Sequence, residues 1–369
     1  MSPAGILALV AVAASPNAME PPPFSGAALF VENDAFNLVR PTDQNYTGGG
    51  ALQVSGLGVK WAAAPLELID RITGLENRLV ELDKEDGRTF RGYSLSFGIT
   101  GFTPKDLTID EPIHDDRPYG SLDFLMVSRA SAFERLGVAI STELTVGVLG
   151  FDQAHQVQSF VHRVIRGVRG CQDADPDCHP HDPKGWPHQV SAGGEPTLRY
   201  GLAAEKLLVD ARASDWARFD LKGLGRLDLG YYTGAAAGFA FRAGRVSSPF
   251  WSYNTAPVNG QNQMVPALAA SPEQATRARS LELYLVGGLR GRVVGYNALL
   301  QGQFRPSAVQ LSDTQVYRLL YEFELGLTAS WQGAGLTWMA FAGRSPELNA
   351  GGGIRHQVWS SFYLWYRYW

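Results

Sequence analysis

Long apolar helices are missing from this chain. After the N-terminal run Gly5 to Ala14, no stretch stays apolar for the roughly 20 residues that a bilayer-spanning helix needs. Charge is also scarce: Asp, Glu, Lys and Arg make up 18% of the residues, and the net charge of -4 provides no basic footprint, which excludes nucleic acid as a partner. The cysteines are two, Cys171 and Cys178, too few for a disulfide-built scaffold or a paired CxxC zinc framework. No serine stands in a Gly-x-Ser-x-Gly elbow, so the α/β-hydrolase nucleophile is excluded as well.

What is abundant points to strands. Forty-one glycines and an aromatic share of 11% favour a turn-rich β architecture. From Tyr317, the odd positions read Tyr317, Leu319, Tyr321, Phe323, Leu325, Leu327, Ala329, Trp331, and the even ones Arg318, Leu320, Glu322, Glu324, Gly326, Thr328, Ser330. One face is oily and the other polar, because successive side chains on a strand point opposite ways. The same alternation recurs from Tyr93, Leu136 and Leu281, with aromatics flanking the oily faces as in the girdles of a transmembrane barrel. A soluble sandwich or lipocalin-like barrel with its oily face inward is the competing reading. The apolar run before Pro16-Asn17-Ala18 reads as an export signal over residues 1–18, leaving 19–369 as one barrel domain. A chain without a spanning helix crosses a membrane only as a closed barrel. In the final stretch, Phe362, Leu364, Tyr366 and Tyr368 form the less interrupted apolar set.

Two segments carry a helical period instead. Leu68, Ile72, Leu75, Leu79 and Leu82 recur at that spacing between Trp61 and Asp83, the pattern of an amphipathic surface element. Val157, Val161, Val164, Ile165 and Val168 form a weaker stripe that carries His162 in a loop. Counting strands from Ala27 brings three polar stretches, Asn33 to Thr47, Thr103 to Arg117 and Phe151 to Glu195, to one rim. With short turns on the opposite, periplasmic side, that rim is the extracellular one.

The residues suited to chemistry lie in these stretches. Glu32-Asn33-Asp34 and Asp43 to Gly49 offer carboxylate, amide and hydroxyl oxygens, the hard ligands of calcium, although Asp and Asn are also ordinary turn residues. Strand alternation sends Asn33 and Asp34 to opposite faces, so both act at one site only where the backbone bends. His162 has Gln158 one helical turn before it. Cys171 and Cys178 read first as a disulfide in an exported protein, with zinc held by Cys178, His179, His181 and His188 as the other option.

The sequence resembles the outer-membrane lipid A 3'-O-deacylases. The resemblance is carried by Asn33-Asp34 after a first strand; by Asp43, Tyr46-Thr47 and Gly49; and by Thr103-Pro104 with Asp116-Arg117-Pro118-Tyr119. It continues through Gly147 to Gly150, Gln158 with His162-Arg163, Gly167, and Gly185-Trp186 with Gln189. It implies an all-β fold: an antiparallel transmembrane barrel of about twelve strands, monomeric, with a short helix in an extracellular loop. It also implies a calcium-dependent hydrolase of the outer membrane that removes the 3'-linked acyloxyacyl group of lipid A. His162, Asn33, Asp34 and Thr47 match the family's catalytic set, with Asp34 as the calcium ligand; Gln158, Gln189 and Lys105 are the expected substrate contacts. The family's site lysine has no firm counterpart, since Lys105 sits closer to Thr103-Pro104 than the pattern places it. The expected reaction is attack by a water with His162 as general base. A passive barrel that binds lipopolysaccharide and an outer-membrane phospholipase are the alternatives.

Overall fold

The computed structural model describes residues 24–37, 44–74, 78, 89–169, 181–191, 193–214, 216–253, 280–349 and 351–367. Twelve antiparallel strands close into one barrel: β1 (Gly26–Asn33), β2 (Asn45–Ser55), β3 (Thr89–Thr103), β4 (Gly120–Phe133), β5 (Val138–Leu149), β6 (Glu195–Ser214), β7 (Ala217–Gly230), β8 (Tyr232–Arg245), β9 (Glu282–Asn297), β10 (Leu319–Trp331), β11 (Ala334–Arg344) and β12 (Gln357–Arg367). Each pairs with its sequence neighbours, and β1 pairs with β12, matching Gly26 to Arg367 and Asn33 to Ser360. Closure removes every open edge, which lipid requires. The start of β1 and the end of β12 share one rim, here the terminal rim; the other is the distal rim.

Alternation decides the inside. Along β10, exposed and buried residues alternate from Leu319 to Trp331 without a break, with Glu322, Glu324, Thr328 and Ser330 inward. In β12, Leu364 and Tyr366 are exposed outward as expected, and Tyr368 lies outside the described residues.

The lumen holds paired charges. Glu322 receives Arg344 at 2.6 Å and lies 3.3 Å from both Arg290 and Arg292. Asp228 binds Arg226 at 2.8 Å, with Arg199 and Arg292 at 3.5 Å, while Glu143 accepts from Arg199 and Arg226. A buried ion is tolerable only with such partners. At the terminal rim, the start of the β8–β9 connection turns inward. Lys222 Nζ donates to Phe250 O and Tyr253 O at 3.2 and 2.7 Å, and Phe250 and Trp251 pack on Ala130, Ala132 and Ala139. At the distal rim, α3 (Ala298–Gln301; α1 and α2 are described below) closes the mouth with Leu299 against Leu122 and Leu149.

The turns of the terminal rim are not uniformly short, which corrects the sequence expectation. Three are, at 134–137, 215–216 and 332–333, but β2–β3 and β8–β9 are linked by 56–88 and 246–281. Two buried clusters hold them: the lumenal one around Phe250 and an outer one around Val59, Ala63 and Leu66. The predicted first helix appears as a 3-10 segment, Leu57–Ala63, running into α1 (Ala64–Thr73); Leu75, Leu79 and Leu82 lie outside the described residues, as do the export signal and Cys171 and Cys178. The second forms α2 (Gln153–Arg169) at the distal rim.

Candidate active site on the outer wall

Alternation places the site on the outside of the wall. Phe30 and Glu32 point inward, so Leu29, Val31 and Asn33 point outward. Glu32 accepts the Tyr46 hydroxyl at 2.5 Å inside the barrel, and Tyr46 packs on Phe102 and Trp359. The residues after Tyr46 and Phe102 therefore face out, and Thr47 Oγ1 and Thr103 Oγ1 meet at 2.5 Å. A bulge between Tyr46 and Gly48 is where β2 re-aims Thr47.

At Asn33 the strand ends. Its side chain accepts from Ala35 N at 2.8 Å and caps a one-turn 3-10 helix, Asp34–Phe36, while Nδ2 donates to Thr47 O at 2.7 Å. The backbone thus bends where a shared role for Asn33 and Asp34 would need it, although Asp34 itself does not line the cavity described below. The bend buries Asp34, whose Oδ2 accepts from Gln44 N at 2.6 Å, and sets Phe36 outside against Phe362.

Helix α2 covers this patch. It comes close to the wall at Gly101, where a Cβ would meet the Ala154 Cβ at 3.3 Å and the Trp186 ring at 3.6 Å. The returning segment 181–190 is a clasp that ties the helix to the wall. Trp186 Nε1 donates to Gln158 Oε1 at 2.8 Å, Arg166 pairs with Asp182 at 2.9 Å, and Trp186 packs on Tyr119. Ser121 donates to Gln189 Oε1 and Phe151 O at 2.9 and 2.7 Å, and Val190 N donates to Tyr119 O, which binds the clasp to β4.

Between helix and wall lies a cavity of about 930 Å³ lined by Asn33, Thr47, Lys105, Gln158 and His162, among others. His162 is 4% exposed, and its Nδ1 sits 2.7 Å from His181 O. A carbonyl only accepts, so Nδ1 carries the hydrogen and the neutral ring keeps its lone pair on Nε2. Asp106 also lines the cavity; hydrogen bonds from the Thr108 hydroxyl and backbone N–H hold its carboxyl below the usual range.

The expected residues thus divide. His162, Asn33, Thr47, Gln158 and Lys105 share the cavity; Asp34 lies beside it and Gln189 serves the clasp. His181, which the sequence reading named only in the zinc option, meets His162 through its carbonyl, a contact without any side-chain signal. Thr103 and Gly101 also escaped the sequence reading of roles. For calcium, the oxygens of Asp34, Asn33 and Thr47 are of the hard type the ion takes. Among the described residues no three His, Cys, Asp or Glu side chains gather there, so an ion on Asp34 would draw on carbonyl and other neutral oxygens. The zinc option involves Cys178 and His179, which lie outside the described residues.

Among solved structures, LpxR from Salmonella typhimurium superposes with a TM-score of 0.64 at 14% identity, covering 93% of this chain and all (100%) of that one. The β domain of the Bordetella autotransporter BrkA reaches a TM-score of 0.37 at 10% identity, over 94% of this chain and 99% of that one. A sequence search of curated proteins gives no match. The first superposition gives the fold alone, a closed antiparallel barrel. The sequence itself goes further: residues 4–368 match the family described as outer membrane protein LpxR, and the chain belongs to that family.

Proposed function

We propose that the protein is a lipid A 3'-O-deacylase, hydrolysing the 3'-linked acyloxyacyl ester from the outer leaflet, with the distal rim extracellular. The observation that carries this reading is the meeting of His162, Asn33 and Thr47 around one cavity on the lipid side of the wall. A substrate anchored in the bilayer reaches that side without leaving the membrane. Apolar residues Val31, Phe36, Val157 and Val161 line the same cavity and suit acyl chains.

His162 takes the proton of a water through Nε2 while Nδ1–H stays on the His181 carbonyl. The water oxygen bonds to the ester carbonyl carbon, and the charge moves to the carbonyl oxygen. One amide hydrogen of Asn33 is spent on Thr47 O; the other, with the Thr47 hydroxyl, serves that oxyanion. Collapse breaks the bond to the sugar oxygen, which leaves with the proton that His162 returns. Gln158 and Lys105 meet the substrate's polar head from the same cavity, and Gln189 holds the clasp. Asp34 would hold calcium, which supplies Lewis-acid polarisation of the ester carbonyl when bound.

The charge-filled lumen disfavours a passive pore. The test is mass spectrometry of lipid A from cells expressing the wild type or His162→Ala. A mass loss of the acyloxyacyl group with the wild type alone supports the assignment, and intact lipid A in both overturns it. Loss of phospholipid chains instead would make the protein a phospholipase. A chelator arm isolates calcium: unchanged turnover after chelation removes the ion from the scheme and leaves the histidine chemistry standing.

A further inference from the structure

The segment 57–73 lies against the outside of the barrel beside the terminal rim. Val59, Ala63 and Leu66 bury against Tyr93 and Val127, with Leu95, Leu144 and Tyr200 packed around them. All five belong to the outward phase of β3 to β6, the phase that exposes Phe97, Leu125, Val146 and Leu198 farther up the wall. The segment therefore replaces lipid over the lower edge of that band.

Its polar groups face the wall too. Asp70 pairs with Arg129, an arginine on the outward face of β4, and the Tyr93 hydroxyl donates to Glu67 Oε1 at 3.1 Å. An outward arginine in a barrel costs about 2–4 kcal/mol when it meets the bilayer midplane, less toward the interface, so its cover by a carboxylate fits a position at the membrane boundary.

The remaining face is apolar and bare. Leu57, Trp61, Leu68 and Ile72 are 50, 73, 55 and 76% exposed, and Leu68 and Ile72 stand one turn apart on α1. Arg71 is exposed beside them, and Lys60, itself exposed, reaches Glu67 at 3.9 Å. A bare set of large apolar residues with a tryptophan, basic neighbours and continuity with a lipid-facing wall is the constitution of a segment lying in a bilayer interface.

We infer that segment 57–73 is a membrane-interface anchor: its exposed Leu57, Trp61, Leu68 and Ile72 insert among phospholipid acyl chains on the terminal side, and Arg71 meets anionic headgroups. The inference rests on the barrel's membrane embedding, not on its enzymatic reading; the orientation proposed above only names the leaflet as periplasmic.

The test uses the full-length protein refolded into vesicles of phosphatidylethanolamine and phosphatidylglycerol with acyl-chain bromines at shallow or deep positions. The difference in emission between wild type and Trp61→Phe isolates Trp61. Shallow bromines are expected to quench this component at least about twofold more than deep ones, as interfacial burial of 5–10 Å requires. The exposed pair Leu68→Asp and Ile72→Asp is expected to abolish the quenching while the barrel keeps its heat-modifiable mobility. A Trp61 component that ignores bromine at both depths, or quenching that survives the double substitution, overturns the anchor.

Discussion

Three pairs of chain neighbours divide this wall. Glu32, Tyr46 and Phe102 look into the barrel, and Asn33, Thr47 and Thr103 look out. On the inner face, polar groups meet protein: Glu32 holds Tyr46, Arg117 stacks 4.1 Å over Phe102 and pairs with Glu347, and Arg344 bridges Glu347 to Glu322. On the outer face, polar groups border a cavity beneath α2. The strand geometry is shared, so the difference arises from what covers each face. Charge enclosed by protein builds a rigid wall, and the same wall presents a fixed threonine and asparagine to a space that a lipid can enter.

The comparison breaks most sharply at His162. His162→Ala is expected to lower deacylation by about 10²–10⁴-fold, the usual worth of a positioned base, with heat-modifiable mobility unchanged; mass spectrometry of lipid A and gel migration read the two halves. The reverse split is expected inside. Arg117→Met leaves Glu347 buried with one partner fewer, so the barrel should lose about 3–5 kcal/mol in urea unfolding while the folded fraction keeps turning over. A deacylation defect per folded barrel as large as that of His162→Ala would erase the distinction between the faces.

Smaller changes sharpen it. Thr47→Val keeps the shape and removes the hydroxyl that Thr103 meets, with an expected loss of about 10²-fold in turnover, measured on purified protein. Gly101→Val pushes on Ala154 and Trp186; a displacement of the helix near 1 Å costs about 10²-fold or less, with the strands intact by circular dichroism. Acid gives the mildest effect. Burial alone would push the Glu347 carboxyl up, but Arg117 and Arg344 hold it down at about 2. A folded-state value below the unfolded one near 4.3 contributes stability that is complete above pH ~4.3 and is lost as pH falls toward about 2. Urea midpoints between pH 5 and 2 should fall in the wild type and fall less in Glu347→Gln.

Much of the barrel is legible in sequence, because a period of two is a local property. The oily and polar sets of β10 reappear in the structure as its outer and lumenal faces. The bend after Asn33 is accessible only on the condition that Asn33 and Asp34 act together, and the structure has the bend while leaving Asp34 out of the cavity lining. What covers a face is not local. Nothing in residues 246–253 marks them for the lumen except through Lys222 and Ala130, distant in the chain. The close approach of α2 to the wall at Gly101, more than 50 residues before Ala154, is marked in the sequence only by the absence of a side chain. His181 acts through a carbonyl that every residue has. Glu32 and Asn33 look alike in a sequence, and only the closed register separates a structural carboxylate from a site amide.

The most direct measurement is turnover of lipid A in vesicles by refolded wild type and His162→Ala, each normalised to heat-modifiable barrel. A drop of about 10² or more with equal folded fractions is the predicted result; equal turnover of the two proteins contradicts the assignment of the chemistry to the outer wall beneath α2.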